Sequence, residues 1–216
     1  MPLHNQSEYD ILNSIFIAGS SIFGSTFHVA LSKAAPGDDG LAFDEPLEAS
    51  GYGRVQNDAG SGNWNEPAKD GSVHKVTNKN ELSFGTASAD WGTISHFAIF
   101  DRDIATHAVA AVNTGSAGAA SFEVATDITG QLTAGDLIRV RDSTGNDGVY
   151  TIRSGSSFSS PNTTINVEEA ISDGTVDGNL DLLGLMIVSG AWDASKAVQN
   201  GDPAMAPAGS MEVTSN

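Results

Sequence analysis

Cysteine is absent from the 216-residue chain, so neither a disulfide nor a thiolate metal site can form. Basic residues are few: ten Lys and Arg stand against 27 Asp and Glu, a formal charge of −17. Binding nucleic acid means neutralising phosphates with Lys and Arg, so this balance excludes nucleic acid as a partner. It argues equally against docking on an anionic membrane surface. Long apolar runs are missing too; none approaches the length that spans a bilayer. No basic segment followed by an apolar one opens the chain, so a secretion signal is not expected. The expectation is a soluble acidic protein, made in a cytoplasm and acting free or within a particle.

The strings that announce common chemistries are missing as well. There is no Gly-x-Ser-x-Gly nucleophile elbow and no phosphate-cradling loop closed by Gly-Lys-Ser/Thr. The five histidines, His4, His28, His74, His96 and His107, contain no His-Glu-x-x-His pair. Residues 142–153, DSTGNDGVYTIR, begin like a calcium loop, with Asp142 first and Asn146 fifth. Asp147 stands where that loop needs Gly and Arg153 where it needs Glu, so an Asn-Asp-Gly hairpin turn is the better account. Asp173 and Asp177 could flank a weak cation, but a turn explains them more simply. The carboxylate pairs Asp38-Asp39 and Glu168-Glu169 fall in loops or at strand ends, where nothing raises a pKa for acid catalysis. No catalytic, metal-binding or cofactor-binding residue is therefore expected, and the chain is read as a non-enzyme.

What is present is turn chemistry. Glycine contributes 24 residues and charged residues only 17%, the composition of a turn-rich all-β protein. The exception is 5–17, NQSEYDILNSIFI. Asn5 suits an N-cap with Glu8 three residues on, Ile11, Leu12, Ile15 and Phe16 form one apolar face, and Gly19 ends the helix. Alternation then marks strands at 26–32 (Phe27, Val29, Leu31), at 51–56 and at 81–86 (Leu82, Phe84). His28 and His96 fall on the faces of their strands opposite the apolar residues. Residues 60–81 look like a polar surface excursion with at most short strands, in which Trp64 suits either an exposed partner contact or a local mini-core. WGTISHFAIFDRD at 91–103 is a strand with no partner until GLMIVSGAWDAS at 184–195. Between them, 106–121 has linker composition with room for one weak strand, and 122–180 holds four strand candidates at barrel-like spacing. Residues 194–209 are expected as a loop and 210–214 as a closing strand.

The expected architecture is thus all-β: an antiparallel sandwich or barrel-like domain with one short N-terminal helix, and a second small β-barrel domain inserted in a loop. The first domain would comprise 1–103 plus 181–216, and the insertion 104–180. Trp91 and Trp192 flank the partner strands and are expected to pack in the core.

The segments LHNQSEYDILNSIF, STFHVALSKAAPGDDG, EASGYGRV, WGTISHFAIFDRD and GLMIVSGAWDASKAVQNGD, in this order, resemble a family of small tailed-bacteriophage virion proteins commonly labelled phage tail fibre protein. The resemblance covers 1–103 and 184–216, and residues 105–180 stand outside its pattern. It implies a non-enzymatic structural protein of the virion, made in the bacterial host cytoplasm. Fibres need shafts, and the chain has no heptad, collagen-like or β-helical repeat. A compact acidic β protein therefore suits a capsid decoration (cement) protein best. The alternative is a tail fibre or tail-tip component; a third reading, a module that binds host-surface carbohydrate, has thin support in an aromatic content of 7%. Expected partners are the chain itself, as a homotrimer that hides its strand edges, and the major capsid protein or tail proteins. Ile11, Leu12, Ile15, Phe16 and Trp64 are the expected contact residues.

Overall fold

A computed structural model describes residues 5–19 and 23–214. The side chain of Asn5, and His4, lie outside the described residues. The chain is mostly strand, paired antiparallel, with one short N-terminal helix, and it divides into two compact units. Unit 1 is Met1–Pro36, Phe43–Arg102 and Ile187–Asn216; unit 2 is Gly37–Ala42 and Asp103–Met186.

In unit 1, helix α1 (Asn5–Leu12) runs into a π-helical turn at Asn13–Ile17, closed by the Ala18 N–H on the Asn13 carbonyl at 2.9 Å. Gly19 follows at φ +74°, the left-handed stop expected of it. Glu8 turns into the unit. It is buried, and it accepts from the backbone N–H of His74 and sits 3.2 Å from His74 Nδ1.

Strand β1 (His28–Ser32) lies between β2 (Val55–Gln56) and β6 (Gly92–Phe100), so both of its edges are paired. Val29 and Leu31 enter the core, and the small Ala30 and Ser32 are buried on the other side. The expected solvent-facing side of this strand is therefore absent. β3 (Ala68–Asp70) and β4 (Val73–Thr77) form a hairpin, and β5 (Leu82–Thr86) buries Leu82 and Phe84 in alternation.

The stretch 60–81, expected as a surface excursion with at most short strands, holds β3 and β4 and also contributes to the core. Trp64 and Val76 are completely buried, and the Trp64 ring packs 4.6 Å from Phe16.

Unit 2 opens with β7 (Ala105–Asn113), a nine-residue strand where linker composition left room for one weak strand. Its alanines are too small to advertise burial, yet both edges of the strand are paired. The unit continues with β8 (Ala120–Val124), β9 (Leu137–Arg141), β10 (Gly148–Thr151), β11 (Ser157–Ser159), β12 (Asn162–Val167) and β13 (Asn179–Gly184). The pairing runs β10-β9-β13-β7-β8-β12-β11. A bridge between Ile152 and Val167, with Arg153 N–H on Asn166 O at 2.8 Å, joins the end of β10 back to β12. Six strands thereby close on themselves around Phe122, Ile138, Ile165, Leu180 and Leu182.

The loop 142–147 is a hairpin connection between the paired β9 and β10. Asp147 accepts from Ser143 N–H at 2.7 Å, and Asp173 and Asp177 accept from Thr175 and Thr144. These carboxylates hold turns.

Asp181 on β13 is buried against its ladder neighbours. It accepts from Thr106 on β7 at 2.6 Å, from Arg139 at 2.7 Å and from Arg141 at 2.9 Å. Burial pushes its carboxyl up, but the Thr106 hydroxyl and the two guanidiniums outweigh burial and hold it below the ordinary aspartate value. A carboxyl held low in the fold stabilises it fully above the ordinary value, and the contribution fades as pH falls through the lowered one. Asp181→Asn is expected to cost about 1.5–3 kcal/mol at neutral pH. The gap in urea midpoint between the two proteins should begin to close as pH falls below about 4 and shrink further as it passes the lowered value; a gap independent of pH would contradict the assignment.

After unit 2 the chain returns as β14 (Met186–Val198), which pairs with β6, then β15 (Pro203–Ala206) on β5 and β16 (Glu212–Thr214) on β4. The partner expected for β6 at 184–195 is thus the strand it has. Two strands, however, occupy much of the loop expected at 194–209.

Candidate functional site: a groove beside an open strand edge

Among the described strands only β6 pairs with β14, which leaves the opposite edge of this 13-residue strand open. β15 likewise pairs only with β5. Between the two strands lies a groove of about 220 Å³. Leu31, Phe84 and Ile94 line it together with Trp192, Lys196 and Met205. The Trp192 indole N–H donates to the His96 carbonyl at 3.1 Å, and its ring stands 5.1 Å from Phe97, so its orientation is fixed. Met205 is 48% exposed. From Asp193 to Ala197 every residue of β14 is exposed, so the strand is bare on both faces there.

A buried ionic cluster fixes β1 beneath this groove. Arg54 Nε and Nη2 each donate to one oxygen of Glu45 at 2.9 Å, and both side chains are fully buried. Tyr52 donates to Glu45 Oε1 at 2.6 Å and accepts the Leu31 backbone N–H at 3.0 Å. Arg54 also donates to the Arg102 carbonyl, and its Cζ lies 3.9 Å from the centre of the Phe100 ring. Burial, then the adjacent Glu45 carboxylate, pushes the Tyr52 hydroxyl well above its ordinary pKa. Tyr52 is therefore a fixed donor to Glu45, and the GYGRV segment works as an internal fastener.

The expected contact residues divide. Leu12 and Phe16 are buried in the unit's own core, and Ile15 packs half-buried against it. Trp64 is likewise interior, its indole N–H shared between the Asn57 and Asp58 carbonyls at 3.2 Å each. A partner role for Leu12, Phe16 and Trp64 gives way to core packing, because no face of them is left to offer. Ile11, 42% exposed, keeps an open face. The groove residues Lys196 and Met205 were not singled out in the sequence. The signal available was the alternation of Ala204 and Ala206, which pointed to β15. Trp91 is buried, as core packing requires.

Among the described residues no three His, Cys, Asp or Glu side chains gather in a way that could hold a metal ion. No helix among them is long and apolar enough to cross a membrane. The family model described as Podophage GP4 fiber I protein gp80 matches residues 2–141. The chain belongs to that family. Membership in this fiber I family makes it a phage virion protein of the tail-fibre type. The matched stretch holds α1, β1 to β6, the GYGRV fastener, and β7 to β9 of the barrel. The rest of the barrel and β14 to β16, with the open edge, lie beyond it. Neither the curated proteins nor the solved structures contain a match to this chain.

Proposed function

We propose that the protein is a structural, non-catalytic component of a phage tail fibre. The observation that carries this is the family match, whose description names a fiber and whose span takes in more than half of the chain. The capsid-decoration role favoured by the lack of shaft repeats is not supported by this family, and the tail-fibre alternative fits it better. A chain without repeats serves a fibre as a joint or attachment module. Residues 103–186 are read as a module inserted between β6 and β14. Tail proteins are the expected partners in place of the major capsid protein, and the protein also associates with itself, first expected as a trimer. The apolar lining of the groove suits side chains of a protein partner better than a sugar.

The test is copy number. Quantified against the major capsid protein in purified particles, the chain should be present in a few to a few dozen copies and absent from tailless heads. Hundreds of copies, retained in tailless heads, would restore the decoration role.

A further inference from the structure

The open edge of β14 is unusual for what it lacks. Natural edge strands are shortened, bulged, or guarded by proline and clustered charge. The opposite edge of the same sheet is the two-residue β2. β14 runs for 13 residues with no proline, and five consecutive residues of it are exposed on both faces. The last stretch of the strand, Ala191–Val198, contains one acid, Asp193, and one base, Lys196, in a chain of net charge −17. Neither side chain has an ion-pair partner among the described residues. This is a neutral strip on an acidic protein, where two copies can meet with little like-charge repulsion.

We propose that β14 pairs with β14 of a second copy, antiparallel about a twofold axis normal to the sheet, giving one continuous eight-stranded sheet. The proposal rests on the self-association in the reading above and replaces its threefold ring by a twofold pair.

The register follows from charge and geometry. The Val198 carbonyl accepts from Trp91 N–H, so its peptide faces inward toward β6. By alternation the N–H and C=O groups of Ala191, Asp193, Ser195 and Ala197 point to the open edge. A twofold axis normal to the sheet keeps faces matched, so the strand centres on a single residue. Centring on Asp193 or Lys196 opposes like charges. Centring on Ala194 sets Asp193 opposite Ser195 of the second copy, a hydroxyl facing a carboxylate. It also sets Trp192 opposite Lys196, an ammonium beside an indole. All four outward residues then bond across the edge.

The chain's lack of cysteine makes this register directly measurable. In it Ala194 faces its own copy at a non-hydrogen-bonded position, where Cα atoms stand about 4.5 Å apart. That spacing is within disulfide reach, about 4.4–6.8 Å. Ala194→Cys in the full chain should oxidise to a covalent dimer at least tenfold faster than Ala197→Cys, whose partner position is Ala191. Ser195→Asp opposes two carboxylates and should weaken the native dimer at least tenfold in sedimentation. Asp193→Ser combined with Ser195→Asp should restore it. Near-UV circular dichroism checks that each variant is folded. Added salt should strengthen the dimer, since it screens the repulsion between acidic copies. Equal crosslinking at both positions, a three-chain mass, or a monomer at every concentration would overturn the pairing. None of these would change the copy number in particles, so the tail assignment is tested separately.

Discussion

Replacing Arg54 by Met is expected to destabilise unit 1 by about 3–5 kcal/mol, the usual cost of breaking a buried ion pair from one side. Met matches the length of the arginine stem but leaves Glu45 without the guanidinium that faces both of its oxygens. A buried carboxylate in that state either keeps its charge at high cost or takes up a proton. The loss should appear as a lower urea midpoint with unchanged slope. Glu45→Leu together with Arg54→Met should recover much of the loss, because two apolar side chains leave no charge uncompensated. A cost below about 1 kcal/mol for Arg54→Met would mean that the cluster is not what fastens β1.

Trp64→Ala is expected to cost a similar amount, about 3–5 kcal/mol. The indole fills space between Phe16 and the β4 region, and its N–H satisfies two carbonyls. Trp64→Phe keeps most of the volume and loses the donor, so it should cost about 1–2 kcal/mol. Thermal unfolding reads both. The comparison also decides what Trp64 does: a partner contact would leave monomer stability unchanged and alter only assembly mass.

Much of the fold was legible where side chains carry strong signals. The β6 strand and its distant partner stood out because Ile94, Phe97, Ile99 and Phe100 have no reading other than burial. The turn-rich spacing of 122–180 likewise marked a barrel. β7 was not legible, because Ala105, Ala108, Ala110 and Ala111 bury little area each and draw their stability from ladders on both edges. Trp64 was ambiguous because its polar neighbours dominate the local pattern. The candidate site was hardest to see. A groove between β14 and β15 is made by what fails to cover Leu31, Phe84 and Ile94, and no motif records an omission. The GYGRV segment stood out as family wording, but its role depends on Glu45, seven and nine residues before Tyr52 and Arg54, and on no local periodicity.

The pairing of β6 with β14 has a kinetic side. Some 85 residues separate Phe100 from Met186, and closing a disordered loop of that size costs roughly 4 kcal/mol in chain entropy. The barrel removes most of that cost if it forms first, because its own first and last strands are ladder neighbours, Ala105 opposite Leu182. A folded barrel then acts like a short hairpin turn for the sheet that follows. Refolding should therefore show the barrel gaining structure ahead of the β6–β14 pair, and a destabilised barrel should slow the appearance of Trp192 burial even though Trp192 lies outside it.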